Sequence, residues 1–307
     1  MKLKINLVRA KSILIKTGLP GSDWVINPYN GCTFACRYCY AAQIARWKHP
    51  GEEWGSFVDV KVNAAELLKR ELERLEKKTI LSASPRGSQV CHPRGATHRN
   101  FGSVFFSSVT DPYIGLEAKY GLTRSCLQVL ADFGYKGSVS VQTKSPLVIR
   151  DIDILQRLPK AAVGFTVTTL DDKVSRFLEG KAPLVSARLA ALGELNKAGI
   201  STYAFVGPIL PHFMNDKTKL SALLDKLENV GVKEVWFEHI NLSPKIKGRL
   251  FEYLRKEAPE LAEAFSRADS EEYREGLEKV IYSLMKGRKM KMGLGKVIHH
   301  RKVKKGS

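Results

Sequence analysis

The chain has 307 residues, 44% of them hydrophobic and 26% charged, and its 50 Lys and Arg against 31 Asp and Glu give a formal net charge of +19. This length and apolar fraction can bury a substantial core, which excludes disorder throughout and suits one large α/β domain with appendages. No run approaches the ~18 consecutive apolar residues that span a bilayer, and Lys2, Lys4, Arg9 and Lys11 interrupt the apolar residues of the N-terminus, so the expectation is a cytoplasmic protein with no membrane partner.

In chain order, residues 1–23 read as an N-terminal extension and Trp24–Pro28 as the first strand. Leu67, Leu68, Leu72 and Leu75 recur at helical spacing. Ser82 to Asn100 follows, an insertion rich in Pro, Gly, Ser and Arg that is too long and irregular for an ordinary connection. Next come strand Ser103–Val109, a helix marked by Leu127, Leu130 and Ala131, and strands Ser138–Thr143 and Ala162–Thr168. A helix on Leu189, Leu192 and Leu195 leads to strand Thr202–Val206, and one on Leu220, Leu223, Leu224 and Leu227 ends before Gly231. Glu234–Ile240 is the sixth strand.

Such alternation requires parallel strands joined by crossover helices, in a doubly wound sheet or a barrel, and six units fit residues 24–245. Residues 246–286 then carry helices only, at Arg249–Glu257 and Ser270–Lys286. The stretch 287–307 belongs to a basic tail in which Arg288, Lys289, Lys291, Lys296, Arg301, Lys302, Lys304 and Lys305 meet no acid, either a solvated tail or a nucleic-acid arm.

Five cysteines make an odd set, three of them within eight residues, which suits a metal site in a reducing compartment better than a disulfide framework. They lie in Asn27-Pro-Tyr-Asn-Gly-Cys-Thr-Phe-Ala-Cys-Arg-Tyr-Cys-Tyr40, spaced Cys-x3-Cys-x2-Cys. Cys32, Cys36 and Cys39 on one tight loop can hold three irons of a 4Fe-4S cubane and leave the fourth free for an exogenous chelating ligand. The alternative is a closed zinc site, which needs a fourth ligand such as Cys91, His49 or His92. His212 and His239 face either the barrel mouth or the core, and His299-His300 beside Arg301 reads as tail charge rather than a metal site.

Cys-x3-Cys-x-aromatic-Cys at the end of a first strand, followed by βα units, resembles the radical S-adenosyl-L-methionine (SAM) superfamily, whose fold is a partial (β/α)6 barrel. The resemblance implies that SAM chelates the open iron through its amine and carboxylate and is cleaved by one electron to methionine and a 5′-deoxyadenosyl radical. A reductant such as ferredoxin or flavodoxin is implied with it. Tyr29-Asn-Gly-Cys, Phe105-Phe-Ser-Ser-Val-Thr-Asp-Pro-Tyr113, Leu122-Thr-Arg124 and Gln142-Thr-Lys-Ser-Pro146 are similar to the spore photoproduct lyase-like branch, over roughly Trp24 to Leu210. That similarity implies Tyr38 beside the adenine, Ser108 and Thr110 facing the SAM amine, Lys144 pairing its carboxylate, and Thr168 and Arg188 as further contacts. Strand-end residues of a barrel share one mouth, which agrees.

One departure bears on the chemistry. The lyase carries a hydrogen-donating cysteine at the end of strand two, where Ser108 stands here, and a serine O–H is far stronger than a thiol S–H. Cys91 in the insertion is a candidate replacement donor, and Cys126 reads as a helix core residue.

Three functions follow. The first is radical SAM chemistry on a nucleic acid, DNA repair or RNA modification, favoured by the charge, the basic tail and Arg86, Arg94 and Arg99 of the insertion. The others are radical modification of a peptide or small metabolite and a zinc-stabilised nucleic-acid-binding protein without catalysis.

Overall fold

The computed structural model describes residues 3–83, 99–211 and 216–299. Its strands are β1 (Lys4–Val8), β2 (Leu14–Lys16), β3 (Trp24–Ile26), β4 (Tyr29–Asn30), β5 (Phe57–Lys61), β6 (Val104–Phe106), β7 (Val139–Thr143), β8 (Ala161–Thr166), β9 (Ser201–Ile209), β10 (Glu234–His239) and β11 (Lys291–Met292). The main sheet runs β11-β10-β9-β8-β7-β6-β3-β2. Within it β3 and β6 to β10 are mutually parallel, the six strands expected from periodicity, and they make the partial (β/α)6 barrel.

The helices are α1 (Ala41–Lys48), α2 (Ala64–Ala83), α3 (Glu117–Tyr120), α4 (Leu122–Phe133), α5 (Ile152–Leu155), α6 (Asp172–Glu179), α7 (Val185–Lys197), α8 (Lys217–Asn229), α9 (Pro244–Glu257), α10 (Pro259–Arg267) and α11 (Glu271–Met285). Local chemistry sets their ends. Asp171 caps α6 by accepting from the amides of Lys173 and Val174 at 2.7 and 3.2 Å. Gly134 closes α4 in the left-handed conformation, its amide bonded back to Ala131 and Leu130. No described helix is long and apolar enough to cross a membrane.

Side chains alternate across each strand, so one face of the sheet packs under the helices. Val104, Phe106, Val139, Val141, Val163, Phe165, Ala204, Val206, Val235 and Phe237 lie on it and are at most 1% exposed. Each such valine or phenylalanine contributes about 1.5–3 kcal/mol by burial. Cys126 is buried in α4 within this core, as its helical position predicts.

Both ends of the chain depart from expectation. The N-terminal extension is structural: β1 pairs with β5 in a second, three-stranded sheet, and β2 forms an antiparallel pair with β3. Residues 287–299, read as the start of a basic tail, instead enter the main sheet, β11 lying parallel to β10 and Ile298 bridging Glu238. Arg288 is held to α8, donating to Asp225 at 2.6 Å, and the Lys289 backbone amide donates to Glu228 of the same helix at 2.8 Å. Arg99 of the insertion is likewise held, 2.9 Å from Glu76 and 2.6 Å from the Phe133 carbonyl oxygen. Cys91, Arg86, Arg94, His92, His212, His300 and the basic residues from Arg301 onward lie outside the described residues.

Candidate active site

The cysteine loop leaves β4 at Gly31, whose φ of +90° and proximity to β5 admit no side chain: a Cβ there would lie 2.5 Å from the Phe57 carbonyl oxygen. Beneath the loop a small core of Tyr29, Phe34, Val58, Val60, Ile114 and Ala182 holds Cys32 and Cys36 almost fully buried, with Cys39 half-buried at its edge. All three thiols are pushed above the ordinary cysteine range, chiefly by burial, Cys36 to about 12. Each lies close enough to a neighbouring cysteine for their charges to interact.

Helix α9 clamps this loop. Arg249 donates from Nη2 to the carbonyl oxygens of Cys36, Arg37 and Cys39 at 3.2, 2.8 and 2.9 Å and from Nε to Arg37 at 3.1 Å. Arg37 stacks its guanidinium 4.1 Å from the Tyr253 ring of the same helix, and its amide bonds the Leu178 carbonyl. Arg249 Nη1 and Arg37 Nε are buried with no hydrogen-bond partner. Arg249, with an unspent donor beside the desolvated thiols of Cys36 and Cys39, forms a donor set that lacks an anion. Thiolates bound to iron supply that negative charge, so the residues present fit a cluster held by Cys32, Cys36 and Cys39. His49 is not a fourth zinc ligand. Its Nε2 lies 2.9 Å from Asp59 and its ring stacks on Phe57.

Behind the loop, at the carboxyl ends of β7 and β8, sits a buried polar group that sequence reasoning missed the centre of. Glu179, the last residue of α6, is 1% exposed, and Tyr38, Lys144, Thr168, Ser175 and Arg188 converge on its carboxylate. Lys144 approaches to 3.8 Å, Ser175 donates at 2.8 Å, and Tyr38 and Arg188 make short contacts. Cys36 Sγ bonds the Glu179 carbonyl at 3.7 Å, joining the loop to this group. Burial works to raise the Glu179 pKa, yet Lys144 and Arg188 outweigh it and hold it below the ordinary carboxylate range. Burial likewise opposes the charge on Lys144, and Glu179, Cys36 and Asp111 together outweigh it and raise its pKa. Two cations, Lys144 and Arg188, thus face Glu179 in a desolvated pocket, with the buried Asp111 as a second carboxylate beside Lys144. Of the expected SAM contacts, Tyr38, Lys144, Thr168 and Arg188 are therefore brought together. Arg188 is sealed from solvent and also donates to the Thr166 and Pro183 carbonyls, so it reaches the pocket through Glu179.

Ser108 and Thr110 stand on the other side of the loop. Ser107, at φ +68°, turns the chain after β6. Ser108 Oγ then lies 3.3 Å from Asn27 Nδ2 and Thr110 donates to the Gly31 carbonyl at 2.5 Å. Asp111, also unforeseen, is buried beside Cys32 and accepts from Thr143 at 2.6 Å and from the Lys144 amide at 2.8 Å, tying β6 to β7. Neither Glu179 nor Asp111 had a sequence signal beyond a place near a strand end or in the Phe105–Tyr113 stretch. The Leu122-Thr-Arg124 stretch is structural, its amides and Arg150 holding the buried Glu117.

No family model matches the chain. An uncharacterized protein of Methanocaldococcus jannaschii is 30% identical over 285 residues, 93% of this chain and 95% of its own length. A radical SAM Nα-GlyT isomerase of Pseudomonas phage M6 is 24% identical over 242 residues, 78% of this chain and 44% of its own. Among solved structures, spore photoproduct lyase complexed with dinucleoside spore photoproduct superimposes with a TM-score of 0.68 at 15% identity, over 94% of this chain and 81% of that one.

Proposed function

We propose that this chain, which belongs to one family with the methanocaldococcal protein, is a radical SAM enzyme of the spore photoproduct lyase-like branch that cleaves SAM at a 4Fe-4S cluster to modify or repair a nucleic acid. The observation that carries this reading is the cysteine loop set directly against the Glu179 group, whose Lys144 ammonium is held charged beside Cys36. Bound there, the cluster supplies the electron that splits SAM to methionine and a 5′-deoxyadenosyl radical.

The residues divide the remaining work. Cys32, Cys36 and Cys39 hold three irons. Lys144, held charged by Glu179, takes the SAM carboxylate. Tyr38 borders the adenine, its ring 5.8 Å from the Lys144 ammonium, and the buried Thr168 supports the pocket through its hydroxyl on Glu179. Ser108 and Thr110 face the amine. Arg188 positions Glu179 from behind. Cys91 remains our candidate hydrogen donor, and a ferredoxin or flavodoxin the electron source.

The nucleic-acid substrate is supported by the net charge of +19 and by the polar and aromatic face of the main sheet opposite its apolar core face. There Ser140, Gln142, Tyr203, Phe205, Trp236 and Glu238 alternate with the core residues and stay half-buried. Ser140 and Tyr203 share a 3.0 Å hydrogen bond, and the Tyr203 and Trp236 rings lie 6.3 Å apart, a surface on which flat bases can stack. The test is anaerobic incubation with SAM, dithionite and deuterated DNA, RNA or peptide. Deuterium transfer from a nucleic acid into 5′-deoxyadenosine supports the substrate assignment. Transfer from peptide alone overturns it, and no 5′-deoxyadenosine at all overturns the SAM chemistry.

A further inference from the structure

We propose that His239, Glu278 and His299 form a second metal site, distinct from the cysteines, that binds one divalent transition ion of zinc type and fastens the C-terminal segment to the sheet.

The three ligands come from three separate elements. His239 ends β10, Glu278 lies in the middle of α11, and His299 follows the residue that bridges β10. Their side-chain ligand atoms all lie within 4.8 Å of one another. His239 Nε2 is 3.2 Å from Glu278 Oε1, and His299 Nε2 contacts the same oxygen. The two rings are tilted 44° with centroids 4.8 Å apart, so they approach a common point rather than stacking face to face.

The backbone holds this convergence in place. The Ile298 amide bonds the Phe237 carbonyl at 2.8 Å and the His239 amide bonds the Ile298 carbonyl at 3.0 Å, which sets His299 beside His239. Glu278 is fixed because α11 buries Leu277, Val280 and Ile281 on either side of it and Tyr273 donates to the Pro211 carbonyl at 2.9 Å. Two imidazoles and one carboxylate are the ligand types that suit zinc and its neighbours, whereas magnesium and calcium prefer an all-oxygen set. Three protein ligands leave a fourth position for water. His239 is 3% exposed while His299 is 47% exposed, so one ligand anchors the site and another opens an entry path. An ion here would join β10, α11 and the segment after β11. Among the described residues that segment pairs with the sheet through a two-residue strand and one isolated bridge.

The experiment uses the metal-free full-length chain carrying Cys32→Ala, Cys36→Ala and Cys39→Ala, so that thiolates do not compete, titrated calorimetrically with Zn2+ alone. One equivalent is expected to bind, and adding His299→Ala or Glu278→Gln should weaken it at least tenfold. Because His299 is half exposed, its replacement leaves the core intact, and circular dichroism checks the fold. If the triple variant does not fold, Co2+ titration of the cysteine-intact chain separates the sites, since only thiolate ligands give intense charge-transfer bands. The His299→Ala change should then remove the component lacking them. No uptake, or uptake of unchanged affinity in both variants, overturns the site and leaves a hydrogen-bonded trio.

Discussion

On the helix-covered face of the main sheet Phe106, Val141, Phe165 and Phe237 are shut away completely, while on the opposite face of the same strands Phe105, Gln142, Tyr203 and Trp236 stay half-buried. Neighbouring residues along one strand therefore answer to different demands. The covered face supplies stability, and the opposite face, with the carboxyl ends above it, carries polar and aromatic groups that a core would not tolerate without partners. The cysteine loop belongs to the second region, and its own small core supports it from below.

That division can be broken experimentally, beginning with the strongest effect. Replacing Cys32, Cys36 or Cys39 by Ala should abolish 5′-deoxyadenosine formation from SAM under dithionite and lower bound iron. Normal cleavage in any one of them would end the cluster assignment. Arg249→Gln removes the four hydrogen bonds that clamp the loop from α9. Iron retention after reconstitution should fall about 10–100-fold, the usual consequence of losing an outer-shell partner. If iron content holds, the clamp is dispensable.

Glu179→Gln leaves Lys144 and Arg188 buried without their counter-charge and should cost about 3–5 kcal/mol in urea unfolding. The carboxyl pKa is lowered on folding, so its contribution is full above the ordinary carboxylate value and is lost as pH falls through the lowered one. Wild-type stability should therefore drop on the acid side of 4.5, with a shallower drop in Glu179→Gln; parallel profiles would deny the charge pairing. Phe237→Ala on the covered face should likewise cost about 3–5 kcal/mol. On the opposite face Gln142→Ala should change stability by only about 0.5 kcal/mol while weakening substrate binding. Equal destabilisation by these two would erase the contrast between the faces. Cys126→Ala in the core should cost about 1 kcal/mol in stability and leave iron content unchanged.

Much of this was legible before the fold was known. Apolar runs bounded by Gly and Pro gave all six parallel strands, because burial on one face and crossover connection to the next strand both leave a periodic trace. Three cysteines within eight residues marked the candidate cluster loop, since residues adjacent in sequence on one tight loop must be adjacent in space. Short or charge-rich elements left no such trace. The strand Lys291–Met292 has only two residues and sits in a basic stretch, so it read as tail, and His299 with it. Arg99 looked available for phosphates until Glu76 was found beside it.

The sequence by itself determined the parallel barrel and the loop of Cys32, Cys36 and Cys39, because both depend on local periodicity and spacing. Only the tertiary structure decided that Glu179 gathers Tyr38, Lys144 and Arg188, that Arg249 reaches the loop from a helix more than 200 residues away, and that His239, Glu278 and His299 meet. Those groups come from elements far apart in the chain, and what joins them is the desolvation of charge and polarity in shared space, which no single stretch of sequence records.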